Sequence, residues 1–138
     1  MVAAEPGFAN RVEAVFGVRK HKTMATLRRD GSPRISGIEL AFAEGELTLG
    51  MMPGSVKEAD LRRDPRLAIH SPTVDPPEAA PGSWAGEAKV AGAGVEMPGS
   101  GFRVDVLEVV LTRVEPGGGF LVIESWTPSS GLVRRERA

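Results

Sequence analysis

Phe8, Val12, Val15 and Phe16 recur at the spacing of one helical stripe, so the chain is expected to open with a short amphipathic helix. Gly17 stands where such a helix favours a left-handed C-terminal residue. From residue 23 the apolar period falls to two. Residues 23–27 read as a strand, Arg29 to Pro33 as a turn, and 34–43 as the antiparallel return. In that return Ile35 is odd-numbered while Ile38, Leu40 and Phe42 are even, which predicts a bulge or a barrel bend at Ser36-Gly37. Leu47, Leu49 and Met51 alternate as a third strand after the Glu44-Gly45 turn. A brief helix is expected from Ser55, a good N-cap with Glu58 three residues on, until Asp64-Pro65 stops it. Residues 66–70 and 84–91 resume strand character, on either side of a proline-rich loop over 71–82. Residues 92–101 read as a further loop. In 102–114 the apolar parity switches between Val106 and Leu107, again predicting a bulge. A turn at 116–119 leads into a last strand over 120–126, and the basic tail, 128–138, is expected to be loose.

Composition narrows the class. With 17 glycines and 11 prolines but only five Phe, two Trp and no Tyr, the chain suits many short elements joined by tight turns: a mainly β protein with short helices. Its 138 residues fit one domain with a single core. Seventeen Lys and Arg against 18 Asp and Glu leave no basic excess for a nucleic-acid clamp, and the aromatic stacking platform of a single-strand-binding barrel is lacking. The absence of cysteine excludes disulfides, thiolate nucleophiles and zinc ribbons, and two histidines are too few for an all-protein metal centre. No segment approaches the roughly 18 apolar residues of a membrane span, and the N-terminus has no leader pattern, so a cytoplasmic protein is expected.

One segment carries candidate chemistry. Met51-Met52-Pro53-Gly54-Ser55-Val56-Lys57 delivers a strand into a helix N-terminus with a hydroxyl and an ammonium beside free backbone N–H groups, the makings of a phosphate site. The same residues also make a sufficient helix cap, and no Walker loop is present. His21 and His70, at strand ends, read as structural.

The ordered set Met24 to Ser36, Gly45 to Leu49, Pro53 to Lys57 and Leu61 to Ala68 resembles the pyridoxamine 5′-phosphate oxidase-like flavin-binding split-barrel family, most of all its small actinobacterial members. The resemblance implies a six-stranded antiparallel split β-barrel that forms a homodimer, with FMN or the deazaflavin coenzyme F-420 in grooves at the interface. Carried over residue by residue, it makes Lys57 and Ser55 the phosphate contacts, and sets Gly50 and Met51 against the phosphate and ribityl chain. Ile35, Ser36, Gly37 and Ile38 then line the isoalloxazine ring. True pyridoxamine-phosphate oxidases have an arginine in place of Ser36 and a lysine in place of Ala41, so pyridoxamine phosphate is not the expected substrate. Trp84 or Trp126 as a substrate wall, and Arg134 and Arg135 as contacts for an anionic tail, are weaker readings than packing and solvation. The implied activity is hydride transfer to a small organic electrophile. The alternative is a non-enzymatic protein that holds flavin or haem in the same groove.

Overall fold

The computed structural model describes residue 1 and residues 4–138. In chain order it contains α1 (Pro6–Phe16), β1 (Lys22–Leu27), β2 (Pro33–Ala43), β3 (Glu46–Gly50) and α2 (Val56–Arg63). These are followed by β4 (Arg66–His70), β5 (Glu87–Glu96), β6 (Phe102–Val114), β7 (Leu121–Thr127) and β8 (Gly131–Arg137). All strand pairs are antiparallel, in the order β3-β2-β1-β4-β5-β6-β7-β8, and β3 also pairs with β6. That extra pairing, Thr48 with Arg103 and Leu49 with Phe102, closes β1 to β6 into a six-stranded barrel. Strands β7 and β8 continue the sheet beyond it.

Met24, Ile38, Leu49, Ile69, Val90, Phe102, Val109 and Leu111 fill the interior, and α1 lays Phe8, Val12, Val15 and Phe16 on the same cluster. Each such side chain, at 0–3% exposure, contributes roughly 1.5–3 kcal/mol by leaving water. An ion pair fastens the helix to β7, Arg11 donating to the buried Glu124 at 2.7 Å, with Arg113 donating to the other carboxylate oxygen at 3.3 Å. Gly17 is right-handed, with φ −79°, so the left-handed stop expected there is absent.

The parity switch in β6 is a bulge. Ala91 pairs with Glu108 and Gly92 with Val106, leaving the exposed Leu107 as the extra residue. Opposite it Gly92 meets β6 so closely that a Cβ would strike the Asp105 carbonyl. Gly92→Ala is therefore expected to cost about 1–3 kcal/mol, as overpacking does, read as a lowered urea midpoint at unchanged slope.

Further sequence expectations are corrected. The Ser36-Gly37 bulge is absent: β2 runs in unbroken register, with Arg34, Ser36 and Ile38 turned toward the barrel and Ile35 outward at 74% exposure. The reason lies inside. The buried Asp60 accepts hydrogen bonds from Thr26 Oγ1 (2.8 Å) and Arg34 Nε (2.7 Å) on one oxygen and from Arg63 (2.7 Å) on the other. This end of the interior is polar, so the apolar residue takes the outer face. Residues 92–96, read as loop, extend β5, because glycine and alanine suit a narrow wall where a Cβ on Gly94 already touches Phe102 and Leu67 at 3.4 and 3.5 Å. The tail forms β8, in register with β7 from Gly131–Thr127 to Arg137–Leu121. Short-range periodicity does not reveal that β7 offers it an edge. Trp84 lies outside β5 and pins the proline-rich loop by donating its indole N–H to the Val74 carbonyl at 2.6 Å.

Candidate functional site: an open groove on the barrel wall

Strand β2 changes partner midway. Pro33 to Ile38 pair with β1, and Glu39 to Ala43 pair with β3, so the edge of residues 33–38 that faces away from β1 has no strand partner among the described residues. Strand β3 ends at Gly50 and the chain leaves through Met51, Met52 and Pro53 to α2. This divergence opens a groove of about 870 Å3 on the outer face, lined by Gly37 to Ala41, Thr48, Gly50 to Pro53, His21 and Lys57. Its size lies within the range of cofactor sites, about 300–1,000 Å3. Gly37 and Gly50 leave a flat floor, for a Cβ on Gly50 meets nothing within 4 Å and one on Gly37 meets only the Lys22 carbonyl at 4.0 Å.

At one end stands the N-terminus of α2. Ser55 caps it, its Oγ accepting from the Glu58 N–H at 3.3 Å, and Glu58 reaches back to accept from the Gly54 N–H at 3.0 Å. The reciprocal cap read from sequence is therefore present, with Gly54 in place of Ser55 as the returning donor. Gly54 holds φ +78°, the left-handed conformation that glycine adopts without strain. The Glu58 charge is met by Arg62 at 3.2 Å, whose guanidinium also donates to Glu96 at 2.9 and 2.6 Å. The half-buried Lys57 lines the groove and has no ion-pair partner among the described residues.

Of the residues expected to contact a cofactor, Gly37, Ile38, Gly50, Met51 and Lys57 come together in this groove. Ile35 and Ser36 do not line it: Ile35 stands on the neighbouring outer surface and Ser36 faces inward beside Met24. Ser55 serves as the cap behind it. Trp126 is buried in the core, and Arg134 and Arg135 lie on β8, Arg134 paired with Glu136 at 3.1 Å. Glu39, which sequence reasoning passed over, and His21, which it read as structural, line the groove with the His21 Nε2 3.5 Å from the Glu39 carboxylate. A strand-end histidine gives no local signal; only the register of β1 on β2 brings it here. Among the described residues no cluster of histidine, cysteine and carboxylate groups is arranged to hold a metal ion, and no helix is long and apolar enough to cross a membrane.

No family model and no curated protein matches the chain. Solved structures do. It is similar to a pyridoxamine 5′-phosphate oxidase-related, FMN-binding protein from Nostoc punctiforme, with a TM-score of 0.66 and 10% identity over 100% of this chain and 98% of that one. PhzG from Burkholderia lata, in complex with tetrahydrophenazine-1-carboxylic acid, matches at 0.67 and 9% identity over 98% and 90% of the two chains. A haem-binding protein from Mycobacterium smegmatis matches at 0.56 and 15% identity over 100% and 88%. The chain has the split-barrel fold of the pyridoxamine 5′-phosphate oxidase-related, FMN-binding proteins.

Proposed function

We propose that the groove binds FMN between two copies of the chain, and that the protein is an oxidoreductase passing a hydride to a small organic electrophile. The observation that carries this reading is the convergence, in one groove, of a lone cation and a helix N-terminus at one end with a flat glycine floor and a free strand edge at the other. Lys57 and the α2 N-terminus hold the phosphate, and Met51 and Gly50 border the ribityl chain. The unpaired backbone edge at Gly37 and Ile38 hydrogen-bonds the ring system. When bound, the cofactor supplies the hydride chemistry. The protein binds it, orients it and excludes water. The deazaflavin coenzyme F-420, whose phosphodiester suits the same cation, is the competing cofactor.

A second copy suits the outer face. Ile35, Ala25, Ala68 and Ala91 stand in one row across β2, β1, β4 and β5, a flat apolar strip beside the groove. A neighbouring copy seated there roofs a cleft that one chain leaves open. Ile35→Glu is expected to shift sedimentation from dimer to monomer and to weaken cofactor binding with it; an unchanged mass would remove this strip from the interface.

The direct test is a fluorescence titration with FMN, riboflavin and the deazaflavin coenzyme. Lys57→Ala should weaken FMN about ten- to a hundredfold, the loss of one charged hydrogen bond worth roughly 1.5–3 kcal/mol, and leave riboflavin, which lacks the phosphate, unchanged. Equal effects on both, or no binding by the parent, would sink the phosphate site. Non-enzymatic haem binding is the second reading, favoured by His21 in the groove wall as an imidazole for the iron and by the fold shared with a haem-binding protein. A Soret band on titration with haemin, lost in His21→Ala, would favour it.

A further inference from the structure

His21 belongs to two cavities. Besides the groove, it lines a second chamber of about 550 Å3 together with Arg19, Thr23, His70, Ser71, Pro72 and Thr73. The two share this imidazole as a wall, and the β-sheet register explains why: Gly37, Thr23 and His70 lie side by side on β2, β1 and β4, so the groove floor passes directly into the chamber floor.

Within the lining itself only Arg19 carries a permanent charge. Arg19 is a permanent cation with no ion-pair partner among the described residues, while His21, His70 and the hydroxyls of Thr23, Ser71 and Thr73 supply hydrogen-bonding groups. Lys89, next in register to His70, adds a cation on the same outer face. Among the described residues no carboxylate lines the chamber. Two carboxylates border its histidines: Glu39 lies 3.5 Å from both Lys20 Nζ and His21 Nε2, and Glu87 lies 3.8 Å from His70 Nε2. The His70 ring is held in place, for its Nδ1 donates to the Ser71 carbonyl at 2.6 Å. Ser71, 3% exposed, accepts from the Ala88 N–H at 3.0 Å and so is itself fixed. An open pocket, anchored at His70 and Ser71, with hydroxyl and imidazole groups around one unpaired guanidinium matches a group of one negative charge and planar, two-oxygen shape.

We propose that this chamber is the substrate subsite and that it takes a small molecule carrying a carboxylate, bound by Arg19 and oriented by His21 and Thr23. Its place beside the reacting ring rests on the cofactor reading above; the carboxylate site itself stands on its own lining. A phosphate dianion is less well matched, because the lining supplies a single permanent cation.

The test uses the protein without cofactor, followed by the imidazole NMR signals of His21 and His70, with benzoate as probe and benzamide as its neutral isostere. Benzoate should shift both histidines saturably, benzamide should bind at least about tenfold more weakly, and Arg19→Gln should weaken benzoate by about tenfold or more, as loss of a charged hydrogen bond does. Equal binding of the two probes, no shift at either histidine, or benzoate binding abolished by Lys57→Ala but not by Arg19→Gln, would overturn the assignment. A parallel FMN titration of the parent separates the two readings. If benzoate binds as stated and FMN does not, the carboxylate site stands and the flavin reading falls; if FMN binds and benzoate does not, the reverse holds.

Discussion

Phenylalanine in place of Gly50 is expected to leave the barrel folded and to abolish cofactor binding. Gly50 ends β3 opposite Glu39, its backbone is not left-handed, and an added Cβ meets nothing within 4 Å. A strand also prefers an aromatic residue to glycine, so stability should stay within about 0.5 kcal/mol of the parent or rise. The ring then occupies the floor between Met51 and Ala41, where the flat part of a flavin would lie. Affinity for FMN should fall at least about a hundredfold, because the side chain blocks the floor itself, where Lys57→Ala removes only a single charged hydrogen bond. Circular dichroism and thermal melting check the fold, and the fluorescence titration checks the site. Undiminished FMN affinity in a folded Gly50→Phe protein would move the cofactor out of this groove altogether.

The largest stability effect is expected at Asp60→Asn. Asp60 is 2% exposed and receives Thr26, Arg34 and Arg63, whose hydrogen bonds join β1, the return strand β2 and helix α2. Burial works against its ionisation, and the bonds from Thr26, Arg34 and Arg63 outweigh that, holding the carboxyl below its ordinary 3.8. The amide turns an N–H₂ group toward one or more of these donors and leaves two guanidiniums, each less than a third exposed, without their counter-charge. Breaking such a buried pair costs about 3–5 kcal/mol. Because the folded carboxyl is the more acidic, its stabilisation is complete above the ordinary value of 3.8 and is lost as pH falls through the depressed folded pKa. The gap between parent and variant in urea denaturation should thus hold constant near neutral pH and narrow below pH 3.8. A gap that stays wide in acid would assign the loss to shape rather than charge. Asp64, drawn down to about 2 by its bonds with Arg66, follows the same sign at an exposed site.

The candidate groove is half legible in the sequence. Gly54-Ser55 and Lys57 sit within a few residues of one another, so a helix start beside a cation can be read locally, and the cap forms as the spacing predicts. The Ser36-Gly37 bulge, absent from the fold, is expected only if parity is counted as though every inward position were apolar. Arg34 and Ser36 turn inward on the side where Asp60 makes the interior polar, and the partner of that polarity lies 26 residues further on, beyond the reach of any local pattern. The second chamber was illegible for a related reason: Arg19 and His21 precede β1, His70 ends β4, and only strand register sets them around one space.

What neighbouring residues settle among themselves is written in the chain: the helical stripe of α1, the period-two strands, the cap of α2 and the bulge at Leu107, where apolar parity switches within one strand. These depend on side-chain spacing and on hydrogen bonds over three or four residues. The folded barrel alone settles the closure of β3 on β6, the use of the tail as β8, the polar end of the interior around Asp60 and the meeting of groove and chamber at His21. Each brings together groups far apart in the chain. Such contacts form only once the whole sheet has buried enough apolar surface to offset the entropy of ordering it.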